Sequence, residues 1–221
     1  MARLARVVVP DIPHHVTQRG NRRQSVFFSD SDKAAYINFL KEETAKNKVL
    51  IWAWCLMDNH VHFVAVPSTE ESLAKAFGDT HKRYTRMINF REKWRGYLWQ
   101  GRFSSFPMDE PYLLSAVRYV ERNPVEAKIV SLAEDYRWSS AKAHVYGSSD
   151  PLLSRSFLDE QIRDWSKFLR MSDEGQTKRF NRHSKAGRPL GEERFIQKLE
   201  QLTGRVLQKV KPGPKNPAGI K

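Results

Sequence analysis

The chain has 221 residues, 40% of them hydrophobic, and a formal net charge of +13. That length suits one ordinary domain plus an appendage, and the charge favours a polyanionic partner, nucleic acid before anionic membrane. No run of eighteen apolar residues occurs and the apolar stretch near Met1 is too short for a signal peptide, so no membrane span is expected; one cysteine, Cys55, allows no internal disulfide, and a cytoplasmic, nucleoid-associated protein fits.

The valine-rich stretch 4–9 and residues 15–18 read as a first strand interrupted by Pro10 and Pro13. Arg19-Gly20-Asn21-Arg22-Arg23 follows as a polar turn with a permissive glycine, suited to phosphate contacts or to plain solvent exposure. The serines and aspartates at 29–32 cap a helix over 31–47, where Ala35, Tyr36, Phe39 and Leu40 recur at helical spacing. Residues 49–57 are almost wholly apolar and read as a central strand, with Cys55 as a small buried hydrophobe. After a turn at Asp58-Asn59, residues 60–67 form another strand. Its two-residue period puts His60 and His62 on one face and Val61, Phe63 and Ala65 on the other. Two imidazoles on one face suit one divalent metal or one phosphate, although such a pair is more often two unremarkable histidines.

Residues 72–93 predict a second long helix, apolar along Leu73, Ala76, Phe77, Tyr84, Met87 and Ile88, and basic through His81, Lys82, Arg83, Arg86, Arg91 and Lys93. A fourth strand follows from about 95 to 108. Trp99 and Phe103 are its core candidates, and Gln100 and Arg102 its nucleotide-contacting ones. Asp109-Glu110-Pro111 starts a third helix, expected to stop at Asn123-Pro124, with a short helix over 125–130 after the break. Residues 136–146 read as a small helix and 147–151 as a linker. One or two helices over 155–185 and an amphipathic helix ended by Gly204 follow. Lys178-Arg179-Phe180-Asn181-Arg182 is basic, and Lys209, Lys211 and Lys215 lie in a flexible basic tail.

Tyr119 and Asn123 are four residues apart on the third helix and share a face. A tyrosine whose proton is removed, or whose anion a metal or arginine stabilises, is a competent nucleophile, and an asparagine oxygen can join two imidazoles around a cation. On spacing alone Tyr112 and Tyr84 are rivals, and half-buried packing is the commoner role for a helix tyrosine.

Five segments in series narrow the choice. They are His15-Val16-Thr17-Gln18-Arg19-Gly20-Asn21, Leu56-Met57-Asp58-Asn59-His60-Val61-His62, Leu98-Trp99-Gln100-Gly101-Arg102-Phe103, Arg118-Tyr119-Val120-Glu121-Arg122-Asn123-Pro124-Val125 and Trp138-Ser139-Ser140. Together they resemble the HUH-type single-tyrosine transposases, most closely the REP-associated tyrosine transposases, over about 15–140. The resemblance implies an α+β fold with a ferredoxin-like βαββαβ core, an antiparallel sheet with helices on one face. It implies that His60 and His62 bind Mg²⁺ or Mn²⁺, that Asn123 completes the shell and that Tyr119 is the nucleophile. The implied substrate is single-stranded DNA with a hairpin such as a repetitive extragenic palindrome, cut through a 5′-phosphotyrosine intermediate. Arg19, Asn21, Arg22, Gln100 and Arg102 are the DNA-contact candidates, joined by Arg188 in the tail. Relatives usually carry proline where this chain has Asp58, so a looser turn is expected there. On this reading residues 1–147 are the catalytic domain and 148–221 a basic helical extension, a DNA-binding appendage with its last residues expected to be disordered. The protein acts as a monomer or homodimer. The alternatives are a non-catalytic hairpin DNA- or RNA-binding protein, a metal-dependent nuclease using water and, with less support, a structural zinc site.

Overall fold

A computed structural model of the protein describes residues 6–171, Phe180 and residues 187–208. Four antiparallel strands, β1 (His14–Arg19), β2 (Val49–Met57), β3 (His60–Pro67) and β4 (Ser104–Pro107), form one sheet in the order β2-β3-β1-β4. Helix α1 (Asp30–Lys46) joins β1 to β2, α2 (Ser72–Glu92) joins β3 to β4, and the two helices pack on each other. This is the ferredoxin-like βαββαβ core expected. Tyr36 and Phe77 meet Phe63 from β3 on the α1/α2 side. The third helix, α3 (Glu110–Glu126), lies against β2 and β3. Covered strands lose the apolar–polar alternation, and β3 is buried from Val61 to Pro67.

Strand β2 reads as central in sequence but ends the sheet order. It is apolar because other chain segments cover its open edge. The Leu56 N–H donates to the Trp138 carbonyl (2.9 Å), the Ser140 N–H to the Trp54 carbonyl (3.0 Å) and the Ser154 N–H to the Ile51 carbonyl (2.8 Å). Residues 136–140 are thus a turn that covers the edge, and the helix expected over 136–146 shrinks to α4 (Ala141–Tyr146).

Other differences have similar causes. Residues 7–9 are no strand: Val7 and Val9 are buried against Leu199 and Leu207 of the C-terminal region. Residues 4 and 5 of that expected strand lie outside the described residues. Residues 95–103 form a loop with Gly96 and Gly101 at positive φ, so the fourth strand is only Ser104–Pro107. Helix α3 runs through Pro124 to Glu126, and no separate helix forms over 125–130. A proline in the last turn forfeits one hydrogen bond, while the Ala127 and Ile129 N–H groups still reach the Asn123 and Pro124 carbonyls. His81, grouped with the basic residues of α2, is buried instead, 2.9 Å from the Tyr36 hydroxyl. Burial, with Arg6 nearby, pushes its pKa down to about 3, so it is neutral at pH 7.

The turn at Asp58 is held firmly. Its carbonyl accepts from the Val26 and Phe27 N–H groups (2.8 and 3.0 Å), and its carboxylate pairs with Lys33 at 2.7 Å. Polar bonds there do the work expected of proline.

Past Gly147 the chain returns over β2. The Asp150 carboxylate accepts from the Trp54 indole (3.1 and 3.2 Å) and from the backbone N–H groups of Leu152 and Leu153. Leu152, Leu158, Ile162 and Trp165 join the main core. Short helices α5 (Leu158–Gln161) and α6 (Trp165–Arg170) follow, then α7 (Glu193–Thr203). Apart from Phe180, the basic run at 178–182 lies outside the described residues, as does the tail from 209.

Candidate active site

Pairing register decides which side chains meet. Arg19 is opposite His60 and Thr17 is opposite His62, so alternate residues of the two strands share a face. His15 belongs to the same face, and its Nε2 lies 3.0 Å from His62 Nδ1. The rings of His60 and His62 are 4.9 Å apart.

Helix α3 brings the second half of the site. Asp109 caps it by accepting from the Tyr112 N–H (3.2 Å). Arg118 and Arg122 donate to the Phe168 and Leu169 carbonyls of α6 (3.0 and 2.6 Å). Glu121, fully buried, accepts from the Ser140 hydroxyl and lies 2.6 Å from His144 Nδ1. These contacts fix the rotation of α3 about its axis. The Tyr119 ring then stands 5.3 Å from the ring of His62 and 5.9 Å from that of His15, and Asn123 Oδ1 lies 3.2 Å from His60 Nε2. The four residues expected to act together converge. Of the rivals, Tyr84 does not: it is buried in the α1/α2 core with its hydroxyl on the Val26 carbonyl.

The donor set fits a divalent cation. His60 Nδ1 lies 2.5 Å from Asn59 Oδ1 and Nε2 lies 3.2 Å from Asn123 Oδ1. Burial, and secondarily Arg19, pushes the His60 pKa down to about 4, so the ring carries one proton at pH 7. One N–H serves one oxygen; the shorter contact takes it, and the Nε2 lone pair then faces an amide oxygen. A shared cation would satisfy that pairing of two acceptors. His62 Nε2 is buried with no hydrogen-bond partner among the described residues. Burial, then His60, His15 and Arg19, hold His62 neutral, as a metal-binding imidazole must be. Among the described residues no group of three His, Cys, Asp or Glu side chains could hold a metal ion; the set here is two imidazoles and an amide.

Burial raises the Tyr119 phenol pKa, opposed by Arg19 and by a hydrogen bond with Asn123. The Phe180 ring stacks on Tyr119 at 5.2 Å and 20°, which accounts for part of that burial.

Arg19 lies beside this centre. Gln100 donates its N–H to the Arg19 carbonyl (2.8 Å) and Asn21 donates its own to the Leu98 carbonyl (2.9 Å), which joins the 19–22 turn to the 98–102 loop. Arg22, Gln100 and Arg102 are exposed. The turn needs Gly20 for space: its φ of −60° is ordinary, but a Cβ would meet the Gln24 carbonyl oxygen at 2.3 Å. The left-handed backbone falls on Arg22 (φ 53°) and Arg23 (φ 62°). Arg188 is not among this group; its Nη1 donates to the Leu207 and Gln208 carbonyls (2.7 and 2.8 Å). Sequence reasoning gave His15 no role and missed the cover by Phe180. The period of β1 places His15 on the face of Arg19, but only the β1–β3 register brings it to His62.

The family model for IS200-like transposases matches residues 8–123. No curated protein matches. A REP-associated tyrosine transposase solved bound to a REP hairpin is 18% identical, with a TM-score of 0.58, over 71% of this chain and 93% of that one. A Deinococcus radiodurans protein assigned as a transposase is also 18% identical, with a TM-score of 0.39, over 55% of this chain and 97% of that one.

Proposed function

Because this chain belongs to the IS200-like transposase family, we propose that it cuts and rejoins hairpin-bearing single-stranded DNA through Tyr119. The observation that carries this is the convergence of Tyr119 and Asn123 on the His60–His62 pair across the β3–α3 packing. The likeness to a transposase solved with a REP hairpin supports a hairpin of that kind as substrate. Among the described residues no helix is long and apolar enough to cross a membrane.

His60 Nε2, His62 Nε2 and Asn123 Oδ1 would hold Mg²⁺ or Mn²⁺, which when bound draws charge off the scissile phosphate. Arg19 adds positive charge beside Tyr119 and so favours the phenolate. Asn123, hydrogen-bonded to Tyr119, orients the attacking oxygen. In the reaction Tyr119 Oη forms a bond to phosphorus and the bond to the 3′ oxygen breaks. The phenol proton leaves and the departing oxygen takes one up, giving a 5′-phosphotyrosine and a free 3′-OH. The phosphotyrosine bond conserves the energy for rejoining.

Arg19, Asn21, Arg22, Gln100 and Arg102 would position the DNA backbone. Arg188, whose Nη1 donates to the Leu207 and Gln208 carbonyls, would contact the DNA backbone from the appendage. The proposed catalytic unit is 1–147 and the proposed DNA-binding appendage 148–221. Nucleophile and histidines belong to one chain, which favours a monomer that needs no second copy to complete its site.

The test is a denaturing gel of end-labelled hairpin single-stranded DNA with Mn²⁺, for wild type and Tyr119→Phe. A slow protein–DNA band that needs metal and vanishes in the variant is the expected result. Cleavage persisting in Tyr119→Phe would replace this reading with a water-using nuclease. Binding without cleavage in either protein would leave a hairpin-binding protein.

A further inference from the structure

On the α1/α2 side of the sheet, away from Tyr119, a groove of about 940 Å³ runs between α2 and the 94–103 loop. Lys82, Arg86 and Phe90 follow one another at four-residue intervals along α2 and form a single stripe on its wall. Trp94 and Tyr97 stand on the facing loop, which Asn89 ties to α2 by donating to the Gly96 carbonyl (3.0 Å). Trp99 and Phe103, packed around the neutral His81, make the base of the groove apolar.

Phe90 and Tyr97 are each 88% exposed. Two large rings held in water on opposite walls of one groove are exposed apolar surface of the kind that marks an interaction site. The charges beside them specify the partner. Lys82, Arg86 and Arg102 line the groove, and none is in an ion pair among the described residues. Among the described residues no carboxylate lines it. Rings that present flat faces beside cations in one groove are what a single nucleic-acid strand requires: bases stack and phosphates are neutralised, with little demand on sequence. A duplex keeps its bases stacked on one another and has no use for the rings.

The groove also adjoins the reaction centre. Gln18 and Arg19 are consecutive on β1 and point to opposite faces of the sheet. Gln18 Nε2 donates to the Gly101 carbonyl (3.0 Å) on the groove side, while Arg19 faces the histidines and accepts from the Gln100 N–H through its carbonyl (2.8 Å). A strand leaving the groove past Gln100 and Arg102 therefore meets Arg19.

We infer that this groove binds an unpaired stretch of single-stranded DNA by stacking its bases on Phe90 and Tyr97, and holds the strand beside the hairpin as it approaches Tyr119. The inference rests on the single-stranded DNA reading above and adds a separate site on the opposite face of the sheet.

The test is fluorescence anisotropy of the full-length protein with two labelled probes, an oligothymidylate and a blunt hairpin lacking unpaired flanks. The variants are Phe90→Ala/Tyr97→Ala and Arg86→Glu, with Tyr146→Ala as an exposed-aromatic control. Both groove rings are exposed, so their removal leaves the core intact. The expected result is oligothymidylate affinity lower by about tenfold or more in the double variant, with hairpin affinity within about twofold and the control unchanged. Equal loss on both probes, no loss on either, or no oligothymidylate binding by wild type would each overturn the inference. If wild type forms no covalent adduct, the oligothymidylate result still decides the groove. If it does, the double variant should reach wild-type adduct yield at saturating DNA while needing about tenfold more DNA to reach half of it.

Discussion

Asn123 Oδ1 lies 3.2 Å from His60 Nε2, joining residues 63 positions apart in the chain. The contact is two acceptors facing each other once His60 gives its proton to Asn59. About 3 Å is also the spacing of two neighbouring ligands on a small cation with bonds near 2.1 Å. Asn123→Ala should therefore weaken Mn²⁺ binding by about tenfold or more, and Asn123→Asp should strengthen it by adding charge. Loss of the free-Mn²⁺ electron paramagnetic resonance signal on titration measures both. Equal affinities in all three proteins would mean that Asn123 is no ligand.

Acid should unfold the protein steeply. Burial, the largest cause in each case, pushes His14 and His60 down to about 4 and His15 and His81 down to about 3, and holds His62 well below its usual value. Each is depressed below an unfolded pKa of 6.5. Its contribution is complete above pH 6.5 and is lost as pH falls toward 4 and 3, at about 1.4 kcal/mol per pH unit per histidine. His144 has the opposite sign. Burial opposes its charge, but the Glu121 carboxylate prevails and raises its pKa. Its contribution is complete below pH 6.5 and fades as pH rises through the raised value. Five against one puts the stability maximum above neutral pH. Urea midpoints taken in a chelator should drop sharply between pH 6.5 and 4.5, and a flat profile there would contradict buried neutral imidazoles.

The parts of this protein legible in its sequence are those that local periodicity controls. The two-residue period of β3 put His60 and His62 on one face, and the four-residue helical spacing put Tyr119 beside Asn123. What stayed hidden depends on partners distant in the chain. Val49 to Met57 looks like an interior strand because Trp138 and Ser154 cover its edge from about a hundred residues away. Val7 and Val9 look like strand residues but are buried by Leu199 and Leu207. His15 acquires a role only through the register that sets Thr17 against His62.

Gly20 is where the turn leading from Arg19 is most easily broken. A Cβ there would lie 2.3 Å from the Gln24 carbonyl oxygen and 2.7 Å from Val26 Cγ1, and neither the backbone oxygen nor the buried valine can move freely. Gly20→Ala should cost about 2–3 kcal/mol by denaturant unfolding. It should also weaken hairpin binding, because the Asn21–Leu98 backbone bond beside it holds the turn to the 98–102 loop. A fully stable Gly20→Ala protein would mean that the turn relaxes where the packing says it cannot.

His15 tests whether the site depends on more than its direct ligands. For His62 to offer the Nε2 lone pair to a cation, its proton must sit on Nδ1, and the acceptor at 3.0 Å is His15 Nε2. If His62 is a ligand as proposed, His15 would select its metal-binding tautomer and fix its ring plane, in the way that outer partners of ligating histidines generally do. It is fully buried, with the rings of Phe106 and Phe180 at 5.2 and 5.8 Å. His15→Phe thus puts a slightly larger apolar ring in an aromatic setting. The substitution strands the His62 N–H, a cost of about 1–3 kcal/mol. It also removes the buried His15 Nδ1, which has no partner among the described residues, so the two changes in stability offset. The expected result is a protein within about 1 kcal/mol of wild type by denaturant unfolding, with Mn²⁺ affinity lower by about 10–100-fold. His15→Gln should recover part of that affinity, because its amide oxygen can again accept from Nδ1. Unchanged Mn²⁺ binding in a folded His15→Phe protein would show that His62 binds through another nitrogen or not at all.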